Sequence, residues 1–120
     1  MAIYHCSAKI IGRSAGRSII AAVAYRTGTK LLDKETGIVY DYTHKGGVVY
    51  AETMLPPEAP VSYQDRAALW ESVQKVEKQS TAQLAREIEV ALPVEMDRAQ
   101  QLAVLRTYIQ DNFVRQGMCA

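Results

Sequence analysis

The feature that most constrains the fold of this chain is the order in which strand-like and helix-like patterns of hydrophobic residues follow one another. Residues 3–11 alternate as a β-strand does, and residues 84–92 form an extended run closed by a proline. Residues 14–27, 62–80 and 98–116 instead carry apolar side chains at helical spacing. With short extended segments between the first two helices, the order is β–α–(short β)–α–β–α. We therefore expect one α+β domain.

The first strand has two unequal faces. Tyr4, Cys6, Ala8 and Ile10 form the more apolar face. We expect Cys6 to be a small buried hydrophobic residue.

Between the first two helices, residues 33–37 have the composition of a turn, and residues 38–42 and 48–52 look extended.

The helix ends carry recognisable capping residues. Ser14 is a plausible N-cap for a first helix that runs to about Thr27, Asp65 suits the start of the second, and Asp97 caps the third, with Gly117 at its end. The expected apolar stripes are Ile20, Val23, Ala24 and Thr27, then Ala68, Leu69, Val73 and Val76, then Leu102, Leu105, Ile109 and Phe113.

Composition excludes several classes of protein. The chain has 120 residues, 48% of them hydrophobic, but no apolar run near the ~20 residues of a membrane span. Its start lacks the pattern of a secretory signal, and its two cysteines, Cys6 and Cys119, lie at opposite ends. We expect a cytoplasmic protein in a reducing compartment, without a membrane partner.

Charge is distributed unevenly although the net charge is only +1. Residues 1–50 carry seven Lys or Arg against three acids, and residues 51–120 carry seven against ten. A local basic excess is what binding to a phosphate backbone requires, although excesses of this size also occur on ordinary surfaces.

Tyr25 stands out within the basic half. On a helix it would share a stripe with small side chains, namely Ser14, Ser18, Ala21, Ala22 and Thr29. Such a stripe would let a bulky substrate approach the phenol, and the basic side chains around it suit a phosphate. The alternative is a half-buried packing residue with its hydroxyl at the surface.

Glu87 and Glu89 form a second candidate group. Two residues apart on one strand, they share a face, whereas the other face carries Leu84, Arg86, Ile88 and Val90. The pair could bind a metal, accept protons or orient metal ligands, or it could simply be a solvated face.

Several stretches carry a resemblance when taken together and in order. They are Met1-Ala-Ile-Tyr-His, Gly16-Arg-Ser-Ile-Ile-Ala-Ala-Val-Ala-Tyr-Arg, Leu69-Trp-Glu-Ser-Val with Val76-Glu, Gln83-Leu-Ala-Arg-Glu-Ile-Glu-Val-Ala-Leu-Pro, and the helix ending in Gly117-Met. The whole chain resembles the MobA/MobL relaxases, including the N-terminal domain of TraA-type conjugation proteins. The resemblance implies a relaxase-like α+β fold of the HUH endonuclease type, with an antiparallel sheet flanked by helices and incomplete at the C-terminus.

The resemblance also implies site residues. Tyr25 would be the nucleophile that nicks single-stranded DNA at a plasmid transfer origin, leaving a 5′-phosphotyrosyl link and a free 3′-hydroxyl. Glu87 would orient a metal ligand or accept a proton. The cations that would hold phosphates, by position and charge, are Arg13, Arg17, Arg26 and Lys30.

The metal site implied by the family does not match this sequence. Intact relatives would use Mg²⁺ or Mn²⁺ held by three histidines, two of them in an HxH motif on a strand beginning around Met118. The chain ends at Ala120, and neither His5 nor His44 matches those ligands. We therefore expect residues 1–120 to be the N-terminal portion of one relaxase domain, without the metal-binding strand, without bound metal and with impaired nicking.

Three interpretations stay open. The chain is part of a relaxase that keeps its nucleophile, or a non-catalytic module that binds origin DNA, or a different small α+β protein that inherited the scaffold. The first two predict single-stranded DNA, relaxosome accessory proteins and a coupling protein as partners. An open edge on the Glu87 strand would also favour self-association.

Overall fold

A computed structural model describes residues 6–16 and 18–120, with the side chain of Ala15 left aside. They fall into two compact units. The tyrosine unit comprises Ile10–Thr53 and Val61–Arg86, and the C-terminal unit comprises residues 6–9, Met54–Pro60 and Glu87–Ala120. No helix in the described ranges is long and apolar enough to cross a membrane.

The long strands are β1 (Cys6–Gly12) and β4 (Gln83–Val90), and they pair with each other. The predicted apolar face of β1 is wrong, because Ile11 is buried while Ile10 is 53% exposed. The reason is the partner: Ile11 joins Leu84 in the core cluster. Cys6 is exposed, so the expectation that it is buried is also wrong.

The tyrosine unit contains α1 (Ile19–Thr27), the strands β2 (Lys30–Asp33) and β3 (Ile38–Asp41), and α2 (Arg66–Val76). The two strands form an antiparallel hairpin in which Leu31 pairs with Tyr40, and both side chains pack against the core. The turn predicted between them is confirmed. Residues 48–52, expected to be extended, form no regular strand.

The first helix begins four residues later than its sequence suggests. Ser14 lies in a 3-10 turn, Arg13–Ala15, and Ser18 is the N-cap, with its hydroxyl accepting from the Ala21 N–H at 3.2 Å. Both serines satisfy the local rule for an N-cap. The choice is made by a contact from outside the helix, in which the Ser18 hydroxyl donates to Asp33 Oδ2 at 2.7 Å.

The core of the tyrosine unit is built on Ile19, Ile20 and Ala24 of α1, which are at most 1% exposed. The α2 stripe differs from the expected one. Leu69 is buried and Trp70 packs against the core, but Val76 is 78% exposed. Gln74 is buried instead because it has a polar partner inside the unit.

That partner is Asp33, which is only 2% exposed. Its carboxylate accepts hydrogen bonds from the Ser18 hydroxyl, from the Gln74 amide at 3.3 Å and from the Glu35 N–H at 3.0 Å. A buried carboxylate is tolerated only when its oxygens are hydrogen-bonded in this way. Asp33 therefore joins the start of α1, the hairpin turn and the end of α2.

Arg13 closes the same region from the surface. Its guanidinium forms a bidentate ion pair with Glu35, at 2.8 and 2.9 Å. It also donates to the carbonyls of Gln74 and Glu77, at 2.8 and 2.6 Å. The last carbonyls of a helix lack intrahelical donors, so Arg13 caps the C-terminus of α2.

The C-terminal unit contains α3 (Arg98–Asn112), followed by a 3-10 turn, Val114–Gln116. The predicted cap is confirmed, because Asp97 and Gln100 form a reciprocal capping box. The predicted inward face of α3 is half-buried. Met118–Ala120, which resembles the start of a strand, is not assigned as one, yet Ala120 exchanges both backbone hydrogen bonds with Met54, at 2.8 and 2.9 Å.

Replacing Asp33 by Ala should lower the free energy of unfolding by about 3 kcal/mol, because the buried Gln74 amide loses its acceptor and Ser18 loses its link to the hairpin. Chemical denaturation measures the change. Asp111→Ala is the control, since Asp111 forms an exposed pair with Arg115 and its loss should cost about 0.5 kcal/mol or less. Equal effects of the two substitutions would contradict the central role of Asp33.

Stability should also depend on the ionisation of Glu35. The hydrogen-bonded Arg13 guanidinium lowers the pKa of Glu35 below its ordinary value of 4.5, and partial burial opposes this only in part. A lowered folded-state pKa stabilises the fold above pH 4.5 and loses that contribution as pH falls through the folded value.

The difference in unfolding free energy between wild type and Glu35→Gln should therefore be largest near neutral pH and should shrink in acid. Denaturation across this pH range measures it. In an Arg13→Gln background the pH-dependent difference should largely disappear. Its persistence there would show that Arg13 is not the cause.

Candidate active site

Tyr25 lies in the last turn of α1, where the helix ends at Gly28. Gly28 has φ of +64°, and its N–H bonds to the Ala24 carbonyl. A Cβ at this position would also meet Val48 Cγ2 at 3.3 Å. Both the left-handed backbone and the close approach of Val48 favour glycine. The helix end is thereby held against the chain that follows β3.

A tight turn after β3 faces this helix end. Asp41 Oδ1 accepts from the Thr43 hydroxyl at 2.6 Å and from the Thr43 N–H at 3.0 Å. The Lys45 N–H closes the turn on the Tyr42 carbonyl at 3.0 Å. The bonds from Thr43 lower the pKa of Asp41, so its carboxylate keeps its charge and holds the turn over a wide pH range.

The turn brings an aromatic ring and a cation to Tyr25. The ring of Tyr42 meets that of Tyr25 edge to face, with centroids 5.3 Å apart. Lys45 Nζ lies 3.7 Å from the Tyr25 ring centroid and donates to the Tyr25 carbonyl at 2.9 Å. The Arg26 guanidinium lies 5.1 Å from the same centroid. We call Tyr25, Arg26, Tyr42 and Lys45 the tyrosine cluster.

The phenol of Tyr25 is accessible. The residue is 42% exposed, and its hydroxyl has no hydrogen-bond partner in the described part of the chain. Two residues of the expected stripe of small neighbours have contacts of their own: Ser18 bonds to Asp33 and Ala22 packs against the core. An accessible phenol beside two cations can meet an anionic phosphate.

The predicted phosphate-binding residues differ in whether they lie near Tyr25 and in whether their charge is already paired. Arg26 belongs to the tyrosine cluster, and Lys30 is exposed at the start of β2, opposite Asp41 in the hairpin register. Arg13 is bonded to Glu35 and to the end of α2, an arrangement that does not favour DNA binding by its guanidinium. Arg17 lies outside the described residues.

Glu87 is half-buried on β4, in the C-terminal unit, and Glu89 is exposed. On the opposite face Leu84 is buried, whereas Arg86 is exposed and Ile88 is 37% exposed. The roles predicted for Glu87, as a proton acceptor or an orienter of a metal ligand, stay predictions.

The described residues do not fit a metal centre. Among them no group of three or more His, Cys, Asp or Glu side chains could hold an ion. His44 is exposed in the turn after β3, and His5 lies outside the described residues. We therefore derive no catalytic step through a metal for this part of the chain.

Sequence reasoning missed Tyr42 and Lys45. It placed Tyr42 in an extended segment and counted Lys45 only as a charge. One signal was available: Asp41 followed by polar residues favours an Asx turn, which reverses the chain and brings side chains three residues apart to one end of the hairpin. That the turn faces Tyr25 depends on the packing of Gly28 and Val48.

Comparison of the sequence with known proteins identifies a family and several relatives. The model of the MobA/MobL family matches residues 17–120. The mobilization protein MobL of Acidithiobacillus ferridurans is 46% identical over the whole chain, which covers 31% of that protein. The conjugal transfer protein TraA of Rhizobium radiobacter is 36% identical, and the whole chain covers 12% of it. The chain thus spans about a third or less of these relatives.

A solved structure is also similar. It is described as the molecular basis of vancomycin resistance transfer in Staphylococcus aureus, and it superposes with a TM-score of 0.86 at 30% identity. The match covers 92% of this chain and 56% of that one. Together with the family match over residues 17–120, it shows that the chain belongs to the MobA/MobL family.

Proposed function

We propose that this chain acts in plasmid mobilisation by binding single-stranded DNA at a transfer origin and cutting it with Tyr25. Membership of the MobA/MobL family supports the role in mobilisation. The observation that carries the chemical proposal is the accessible phenol of Tyr25, whose ring has Lys45 and Arg26 close to it.

The reaction is a transesterification. The Tyr25 hydroxyl oxygen attacks the phosphorus atom, the bond from phosphorus to the 3′-oxygen breaks, and the DNA 5′-end becomes attached to the tyrosine. The phenol proton passes to a base or to solvent, and the released 3′-oxygen takes up a proton. Because one phosphate ester replaces another, the 3′-hydroxyl can reverse the step without another energy source.

The environment of Tyr25 suits this step. Negative charge increases on the phosphate oxygens as the new bond forms, and fixed cations nearby lower the free energy of that state. The edge-to-face contact with Tyr42 and the Lys45 contacts limit the motion of the Tyr25 ring, which favours an attacking geometry over a disordered one. Relaxosome accessory proteins, a coupling protein and self-association through a sheet edge stay predictions about partners.

The proposal predicts a covalent adduct that depends on Tyr25. The chain is mixed with single-stranded oligonucleotides from the candidate origin of its own replicon, with Mg²⁺ or Mn²⁺, and run on denaturing gels. Wild type should give a protein–DNA adduct in low yield, because no group of described side chains could hold the metal. Tyr25→Phe should give none because the attacking oxygen is absent. Tyr50→Phe is the matched control, since Tyr50 is exposed in the same unit, and it should keep the adduct.

Native gels run beside them separate the possible failures. Salt-sensitive complexes without an adduct would contradict cutting by this chain and would favour a DNA-binding role. If neither a covalent adduct nor a salt-sensitive complex forms, the whole proposal is contradicted.

A further inference from the structure

Lys45 is fixed beside Tyr25 in a way that surface lysines usually are not. Its ammonium group donates to the Tyr25 carbonyl at 2.9 Å and lies 3.7 Å from the centroid of the Tyr25 ring. The residue is half-buried, and its backbone N–H donates to the Tyr42 carbonyl, which closes the turn. A lysine side chain loses considerable conformational entropy when it is held at both ends, so two specific contacts are needed to keep it there.

The charge of Lys45 is not offset by a carboxylate. In residues 6–16 and 18–120 Lys45 takes part in no ion pair, whereas Lys34 pairs with Glu71 at 3.3 Å and Arg13 pairs with Glu35. A half-buried cation without a counterion is favourably placed to meet an anion that arrives from outside.

The ammonium group also has donor capacity left. It carries three N–H groups; one bonds to the Tyr25 carbonyl, and the ring face accounts for another. The Tyr25 hydroxyl is attached to that same ring, so a phosphate in contact with the hydroxyl lies near the ammonium group. Its remaining donor suits a non-bridging phosphate oxygen.

We propose that Lys45 binds the DNA phosphate that Tyr25 attacks, and that the Tyr25 ring holds Lys45 in place for this contact. The inference rests on the proposed function of Tyr25 and adds a substrate-binding residue to it. In the attack the bond from the Tyr25 oxygen to phosphorus forms as the bond to the 3′-oxygen breaks. Lys45 meets the charge that develops on the oxygens that stay on phosphorus.

Binding measurements test the proposal without requiring catalysis. Fluorescence anisotropy with a labelled single-stranded oligonucleotide gives the affinity between about 50 and 200 mM salt, the range over which counterion release dominates. Lys45→Met should make the negative slope of log affinity against log salt shallower by about 0.7, the value for one lost phosphate contact in single strands. At about 100 mM salt that corresponds to roughly fivefold weaker binding.

Three further variants make the test specific. Lys45→Arg should restore most of the slope, because it keeps the charge and the stacking on the ring. Lys34→Met removes the same charge from a lysine already paired with Glu71, and it should leave the slope close to that of wild type. Tyr25→Phe keeps the ring and should also leave the slope unchanged.

The link between the two residues has its own test. Tyr25→Ala removes the ring that holds Lys45, so it should make the slope shallower as Lys45→Met does, and combining the two should add little. Thermal unfolding of each variant checks that the fold persists, and rescue by Lys45→Arg excludes a general folding defect.

An unchanged slope for Lys45→Met, or an equal fall for Lys34→Met, would overturn the inference while leaving the proposed function standing. Absence of DNA binding by the wild-type chain would instead overturn the proposed function, and this inference with it.

Discussion

The buried carboxylate of Asp33 is the contact on which the geometry of the tyrosine unit depends. It accepts from the cap residue of α1, from the hairpin turn and from the Gln74 amide near the end of α2, three segments far apart in sequence. A buried charge is costly unless its oxygens are bonded, so these segments are constrained together and not one at a time. Arg13 adds a second layer, because it caps α2 and pairs with Glu35 in the same turn.

The tyrosine cluster follows from that constraint. Ser18 is the N-cap of α1, so it sets where the helix begins. The start of a helix fixes the direction of every later side chain, including that of Tyr25, one turn before Gly28. Asp33 is also the last residue of β2, so the same carboxylate anchors the hairpin whose second strand leads into Tyr42 and Lys45. The nucleophile candidate and the turn that contacts it therefore depend on the same buried carboxylate.

Much of the fold could be predicted because local rules suffice for it. The order of strands and helices follows from periodicity, and the cap at Asp97 is confirmed because its carboxylate accepts from a backbone N–H of its own helix. The sequence predicts only that Asp65 suits the positive helix start, and it is the N-cap of α2. The errors arise where two local candidates are equivalent and a distant residue decides. Ser14 and Ser18 both suit an N-cap, and Asp33 selects Ser18. Asp33 also decides a position in α2: Gln74 is buried because its amide bonds to Asp33, whereas Val76 is exposed. The hydrogen bond to a buried partner contributes more here than burial of one valine would.

The same limit applies to the candidate site. Tyr25 is recognisable from its segment, but the sequence treats the nearby cations as equal charges, and the fold makes them different. Arg13 and Lys34 form ion pairs with Glu35 and Glu71, which stabilise the unit. Lys45 is instead held by an aromatic ring and a carbonyl, and no described carboxylate compensates its charge. A cation positioned by neutral contacts keeps its attraction for an outside anion, because nothing inside the protein has to be displaced when that anion binds. Within the basic half of this chain, a cation in an ion pair therefore supports the fold, whereas a cation held by neutral contacts can bind a phosphate.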